Sequence, residues 1–109
     1  MKISFIIPCL NAASIIENSL KKLTDILRKM NIKNYELILI DDGSKDDTSN
    51  VIKSIRNKKI KLITNRHNLG KSSSLMIGIR KSKFDRVIIW DCDLPYLENI
   101  DKVMKYLRN

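Results

Sequence analysis

Cysteine is scarce in this chain. Its two, Cys9 and Cys92, make no C-x-x-C motif and no disulfide framework, so the chain reads as intracellular. Histidine occurs once, at His67, with no second histidine or suitably spaced cysteine, which favours a surface or hydrogen-bonding role over metal ligation. No apolar run approaches the roughly 20 residues of a membrane span, and the N-terminus lacks a signal-peptide pattern. A soluble cytoplasmic domain is the expectation. Acidic residues are outnumbered, 12 against 21 Lys plus Arg, for a net charge of +9. That balance favours polyanionic partners such as nucleotide phosphates, nucleic acid or an anionic membrane surface; the dispersal of the lysines also fits ordinary solvated side chains. No aromatic platform is interleaved with the basic residues, which argues against nucleic acid. At 109 residues there is room for one domain and one core, and no repeat, linker or low-complexity segment divides it.

The most informative stretch runs from Arg86 to Pro95. Val87 to Trp90 is an unbroken apolar run, the pattern of a parallel strand buried on both faces. It ends in Asp91 and Asp93, with Pro95 closing the strand. Side chains two apart on a strand point the same way, and two carboxylates aimed together repel. A divalent cation resolves that conflict, and Mg²⁺ or Mn²⁺ fits a site of one or two carboxylates plus phosphates. The competing reading has Asp91 capping the next helix and Asp93 in solvent.

In chain order, Lys2 to Ile7 forms a first buried strand stopped by Pro8. Ser14 and Glu17 have capping-box spacing, and Ile16, Leu20, Leu23, Leu27 and Met30 mark one face of the helix that follows. Asn31 and Asn34 bracket the turn into a second strand, Tyr35 to Ile40, and Val51, Ile52 and Ile55 mark a short second helix. A third strand, Ile60 to Thr64, precedes a helix from about Lys71 to Ser82 with Leu75, Met76 and Ile79 inward. The fourth strand leads to a last helix carrying Ile100, Val103, Met104 and Leu107. This βαβαβαβα alternation predicts an α/β doubly wound parallel sheet in the order 3-2-1-4.

Ligands of such sheets bind beyond the carboxyl ends of the strands, where the order reverses. The polar loops gather there: Pro8–Asn11, Asp41–Ser44, Asn65–Lys71 and Asp91–Asp93. Asp41-Asp42-Gly43-Ser44 reads as a turn with a left-handed glycine, followed by a cap at Ser44 or Asp46. An acceptor carboxylate there is also placed to bind a base edge or a ribose hydroxyl. Gly70-Lys71-Ser72 is no P-loop, because Asn65 stands where that motif needs glycine. Gly and Lys at a helix start still make a fair anion site. Trp90 is expected in the core.

Ile6-Ile7-Pro8-Cys9-Leu10-Asn11, Leu39 to Thr48, Asn68-Leu69-Gly70-Lys71 and Asp91-Cys92-Asp93-Leu94 together resemble the family 2 glycosyltransferases, in family order and across the chain. Within them the likeness is to the polyprenyl- or dolichyl-phosphate sugar synthases. The resemblance implies a GT-A fold and a nucleotide-diphosphate-sugar donor, UDP- or GDP-linked. By position, Pro8 and Asn11 would line the nucleotide pocket, Asp42 would contact the base, and Lys71 or Arg80 would lie near the donor phosphates. Asp91 and Asp93 would match the DxD motif that holds Mg²⁺ or Mn²⁺ across the diphosphate. A lipid-phosphate acceptor would place the chain in the cytoplasm, peripheral to the inner membrane face. Leu10 stands in place of a common aromatic, Ala12 in place of a usual Glu, and Cys92 in place of a small residue. The run Leu94 to Glu98 lacks the branch's Pro-Pro pattern. Family catalytic domains are considerably longer, so residues 1–109 are expected to form one nucleotide-sugar-binding unit, with acceptor contacts and any catalytic base elsewhere. Two alternatives stand beside this one. A non-catalytic binding module of the same fold would self-associate or need a partner chain. A haloacid dehalogenase-type phosphatase would use Asp91 and Asp93 as nucleophile and acid, but Pro95 stands where that family wants Thr or Val.

Overall fold

The computed structural model describes residues 1–92 together with Lys102 and Lys105. Asp93, Pro95 and the expected last helix with Ile100, Val103, Met104 and Leu107 lie outside the described residues. The elements are β1 (Lys2–Cys9), α1 (Ile16–Lys29), β2 (Asn34–Asp42), α2 (Thr48–Ser54), β3 (Ile60–Asn65), α3 (Lys71–Lys81) and β4 (Arg86–Ile89). All pairings are parallel and the order is β3-β2-β1-β4, so the sheet reverses between the first and fourth strands as expected.

Strand alternation sorts the core into two layers. Ile3, Phe5, Ile7, Leu37 and Leu39 face one way and meet Ile16, Leu20, Leu23 and Leu27 of α1 and Ile52 of α2. Ile6, Ile38 and Ile40 face the other way, with Ile63 and Leu75 packed against them. Burying each of these aliphatic side chains contributes about 1.5–3 kcal/mol, which makes β1 and β2 the anchor of the fold. Asn31 ends α1 in the left-handed region at φ 59°. Its amide donates to the Arg28 carbonyl at 3.0 Å, and the Ile32 amide donates to the Leu27 carbonyl at 2.9 Å. This is a Schellman closure, with Ile32 and Leu27 both buried.

Three expectations fail for identifiable reasons. No capping box forms, since α1 begins at Ile16 without a side-chain cap. Its entry is secured from across the sheet edge instead: the amides of Asn11, Ala12 and Ala13 donate to Ser44 Oγ, Thr48 Oγ1 and Asp46 Oδ2 at 2.9–3.1 Å. The fourth strand is not buried on both faces. Helix α3 packs over β1 and β2 and not over β4, which leaves Val87 and Ile89 exposed on that face, while Ile88 and Trp90 pack on the core from the other. Helix α3 does not turn Met76 and Ile79 inward; both are exposed, and Ser74 and Gly78 are the buried residues. A Cβ at Gly78 would lie 2.5 Å from Ile6 Cγ2 and 2.9 Å from Ile40 Cδ1, so the helix rests on the sheet through bare backbone.

Glu36, buried at the start of β2, is a further tie. It accepts from Ser4 Oγ at 2.6 Å and the Lys83 amide at 2.7 Å, and pairs with Lys61 Nζ at 2.8 Å. Burial pushes its pKa up, but Lys61, the Lys83 amide and Ser4 outweigh it and hold the carboxyl below the ordinary range. The network joins β1, β2, β3 and the α3–β4 connection at the end of the sheet away from the polar loops.

Candidate functional site

A cleft of about 560 Å³ opens where the carboxyl ends of β1 and β4 part. Pro8, Cys9 and Leu10 from the end of β1 form one wall, with Ile15 beyond them. Asp42, Asn68, Lys71 and Ser74 add to the lining, and Asp91 and Cys92, just past the end of β4, complete it. Of the residues singled out in the sequence, Pro8, Asp42, Lys71 and Asp91 therefore meet in one cavity. Asn11 and Arg80 are not part of its lining.

Asn11 works beside the cleft. At φ 52° it turns its carbonyl oxygen Oδ1 to accept the Lys45 amide at 2.9 Å, fastening the β1–α1 loop to the β2–α2 loop. Arg80 is exposed in the last turn of α3, nine residues from Lys71 and so about 13 Å further along the helix. Among the described residues, Lys71, at the amino-terminal end of α3, is the cation that lines the cavity.

Asp42 is 5% exposed and organises the loop above it. Its Oδ1 accepts from Asn65 Nδ2 at 3.0 Å and the Leu69 amide at 2.8 Å, and its Oδ2 accepts from the Gly70 amide at 3.0 Å. Burial raises its pKa, but Asn65, these two amides and Ser74 overcome that and keep the carboxyl low. Asp42 is thus an ionised group whose charge is spent on the β3–α3 loop. Its neighbour Asp41 accepts the Ser44 amide at 2.9 Å and the Ser49 hydroxyl. Gly43, at φ 75°, is the left-handed glycine expected there. A Cβ on it would fall 2.7 Å from both the Asn68 nitrogen and the His67 carbonyl carbon, so the two loops touch backbone to backbone. Asp46 caps the next turn by accepting the Thr48 amide at 3.1 Å, and the Thr48 hydroxyl bond leads in holding its pKa low.

Lys71 Nζ donates to Asp91 Oδ1 at 2.5 Å, with both side chains more than half exposed. A cation on a helix start and a carboxylate just past a strand end thus sit in direct contact on the lining of the cavity. Such a pair can hold a diphosphate and a divalent cation together, anion to lysine and metal to carboxylate. Among the described residues no group of three or more His, Cys, Asp or Glu converges to hold a metal. Asp91 as a single carboxylate beside a phosphate site still fits Mg²⁺ or Mn²⁺, which draw remaining ligands from phosphate and water.

Acidic and basic residues occur at both ends of the strands, with Lys45, Arg66 and Lys71 at the carboxyl ends and Asp85 at the amino end. Asp41, Asp42, Asp46, Asp47 and Asp91 stand at the carboxyl ends. The grooves at the amino ends are lined by Lys2, Lys33, Lys83 and Arg86. Asn68 lies in the polar loop singled out in the sequence, whereas Ser74 and Ile15 are lining residues missed there; Ser74 lies one turn after Lys71, and that i, i+3 spacing was the available signal.

Residues 4–109 match the model of "Glycosyl transferase family 2". The chain is 29% identical to the dolichol-phosphate mannosyltransferase of Pyrococcus furiosus, covering 100% of this chain and 31% of that protein. It is 33% identical to the undecaprenyl-phosphate 4-deoxy-4-formamido-L-arabinose transferase of Proteus mirabilis, covering 85% of this chain and 29% of that one. The fold matches a mannosyltransferase from Pyrobaculum calidifontis, solved in complex with GDP-Man and Mn²⁺, at a TM-score of 0.78 and 23% identity, over 99% of this chain and 32% of that structure. The chain thus spans about 30% of the length of the curated relatives it matches.

Proposed function

From the premise that this chain belongs to glycosyl transferase family 2, we propose that its cleft binds a nucleotide-diphosphate sugar for transfer to a lipid phosphate. The observation that carries this reading is the Lys71–Asp91 ion pair on the lining of a cavity at the reversal of a parallel sheet. The named relatives act on dolichol and undecaprenyl phosphates, and the named structural neighbour holds GDP-Man with Mn²⁺, which supports both halves of the proposal. The phosphatase alternative falls with the family assignment.

In this reading Pro8 and Leu10 flank the nucleoside, Asp42 sets the shape of the floor, and Lys71 takes a phosphate oxygen. Asp91, with Asp93 in its expected role, would hold Mg²⁺ or Mn²⁺, which supplies charge neutralisation at the diphosphate. Transfer breaks the bond between the anomeric carbon and the diphosphate oxygen, and the electron pair leaves on that oxygen. Lys71 stabilises the charge that develops there. The acceptor phosphate is already anionic near neutral pH, so a strong base is not required, and attack from the far side inverts the anomeric centre. Residues 1–109 form the donor-binding unit, and acceptor contacts come from sequence corresponding to the remainder of the relatives. No helix among the described residues is long and apolar enough to cross a membrane, and we place the chain at the cytoplasmic membrane face through its acceptor.

A second reading keeps the donor site but has a partner chain or a second copy supply the rest. The exposed Val87 and Ile89 at the β4 edge favour it. Calorimetric titration with UDP-glucose and GDP-mannose, first with Mn²⁺ and then with EDTA, tests the donor site. Binding that needs Mn²⁺ and disappears in Asp91→Ala supports it; a folded chain that binds neither donor overturns it.

A further inference from the structure

Cys9, at the end of β1, and Cys92, three residues past the end of β4, are brought together by the pairing of the two strands. β1 and β4 pair at a constant offset, from Ile3 opposite Arg86 to Ile6 opposite Ile89. The Trp90 amide donates to the Ile6 carbonyl at 2.9 Å, which carries the pairing past the end of β4. Continuing the same offset sets Ile7 beside Trp90, Pro8 beside Asp91 and Cys9 beside Cys92. Packing agrees, since Ile88, Trp90 and Cys92 join the core layer that contains Phe5, Ile7 and Cys9. The two thiols are hydrogen-bond neighbours, neither is in a disulfide, and both line the cleft. Paired strands run about 4.7–4.9 Å apart, within the roughly 4.4–6.8 Å between Cα atoms that a disulfide spans.

We propose that Cys9 and Cys92 form a modification site, a cross-strand dithiol that small-molecule disulfides such as oxidised glutathione convert to an intrachain disulfide. Cys92 is partly exposed and is the point of entry, whereas Cys9 is 2% exposed. The Cys92 sulfur gives its proton to solvent and attacks one sulfur of oxidised glutathione, breaking that S–S bond and releasing one glutathione. The Cys9 sulfur then loses its proton, attacks the Cys92 sulfur of the mixed disulfide and releases the second glutathione. Two protein thiols are oxidised and one small disulfide is reduced to two thiols. Packing of two small apolar groups would account for buried Cys9 but not for a partner that opens on the cleft. Because Cys92 lies between Asp91 and Asp93, the new bond would fasten that segment to β1. The effect on donor binding rests on the function proposed above; formation of the bond does not.

The test is incubation of the whole chain with oxidised glutathione, followed by acid quench, intact mass and non-reduced peptide mapping. Loss of two hydrogens without an attached glutathione, a Cys9–Cys92 linked peptide and full reversal by dithiothreitol are expected. Cys9→Ala should stop as a glutathione adduct on Cys92. Cys92→Ser, at the more exposed position, should keep the fold and remain unmodified. A lasting glutathione adduct on the unaltered chain, dimers linked between chains, or thiols that stay free while a cysteine peptide control reacts would each overturn the proposal. Donor titration of the oxidised chain should show several-fold weaker binding than the reduced chain. If the disulfide forms and neither form binds donor, the donor reading fails and the dithiol stands.

Discussion

Lys71 and Asp91 engage each other, Nζ to Oδ1 at 2.5 Å, and in the proposed function each engages one charge of the donor instead. Binding of a metal-linked diphosphate must therefore exchange one ion pair for two. Both side chains are more than half exposed, so the pair contributes no more than about 1 kcal/mol and is a small barrier to that exchange.

Removing the lysine should act in opposite directions on the two ligands. In Lys71→Ala, Mn²⁺ alone should bind up to about five-fold more tightly, because Asp91 no longer has a competing cation. The nucleotide diphosphate should bind at least ten-fold more weakly. Electron paramagnetic resonance of free Mn²⁺ and calorimetry of the donor measure the two effects separately, and a parallel loss of both would contradict the arrangement.

Asp42→Asn is expected to destabilise the fold by roughly 2–4 kcal/mol in urea denaturation, since an amide cannot accept from three donors as a carboxylate does. The amides of Leu69 and Gly70, which lose their acceptor, should exchange hydrogen sooner than those of the β2 core. A near-neutral substitution would show that this carboxylate is free to serve the donor instead.

Acid should reveal the same carboxylates. Asp42 and Glu36 both have pKa values lowered by folding, so the unfolded chain binds protons more readily than the folded one at acid pH. Their stabilisation is fully present above the ordinary carboxylate pKa, near pH 4, and is lost as pH falls through their folded values. Tm should be level between about pH 7 and pH 5 and fall below about pH 4. Asp42→Asn should shallow that acid limb.

Gly43→Ala combines a left-handed backbone, which costs about 1–2 kcal/mol, with a Cβ placed 2.7 Å from two backbone atoms of the neighbouring loop. A loss of more than about 2 kcal/mol is expected, together with weaker donor binding as the His67–Asn68 segment is displaced. Thermal unfolding and donor titration check both.

The sheet, its order and the end that carries the cleft were legible because they follow from local pattern. Runs such as Phe5-Ile6-Ile7 and Leu37 to Ile40 declare buried strands, and the i, i+3, i+4 spacing of Ile16, Leu20, Leu23 and Leu27 declares a helix face. Partners distant in sequence were not legible. Nothing local in Asn11 announces Lys45, and nothing in Ser14 reveals that Ser44, Asp46 and Thr48 already secure the entry to α1. The apolar run Val87 to Trp90 reads alike whether helices cover one face of the strand or both. In α3, apolar spacing pointed to Met76 and Ile79, but close approach through Gly78 turned a face of small residues inward.

That close approach makes α3 a lever with Gly78 as its fulcrum. Carbon atoms in contact sit about 3.5–4.0 Å apart, so a methyl group added at Gly78, 2.5 Å from Ile6 Cγ2, would lift the helix by about 1 Å. Lys71 is seven residues, or about 10 Å, along the arm. Tilting the rod would swing the ammonium group relative to Asp91 without altering any residue of the cleft. The size of one side chain beneath the helix is in this way a remote setting for the gap between the two charges.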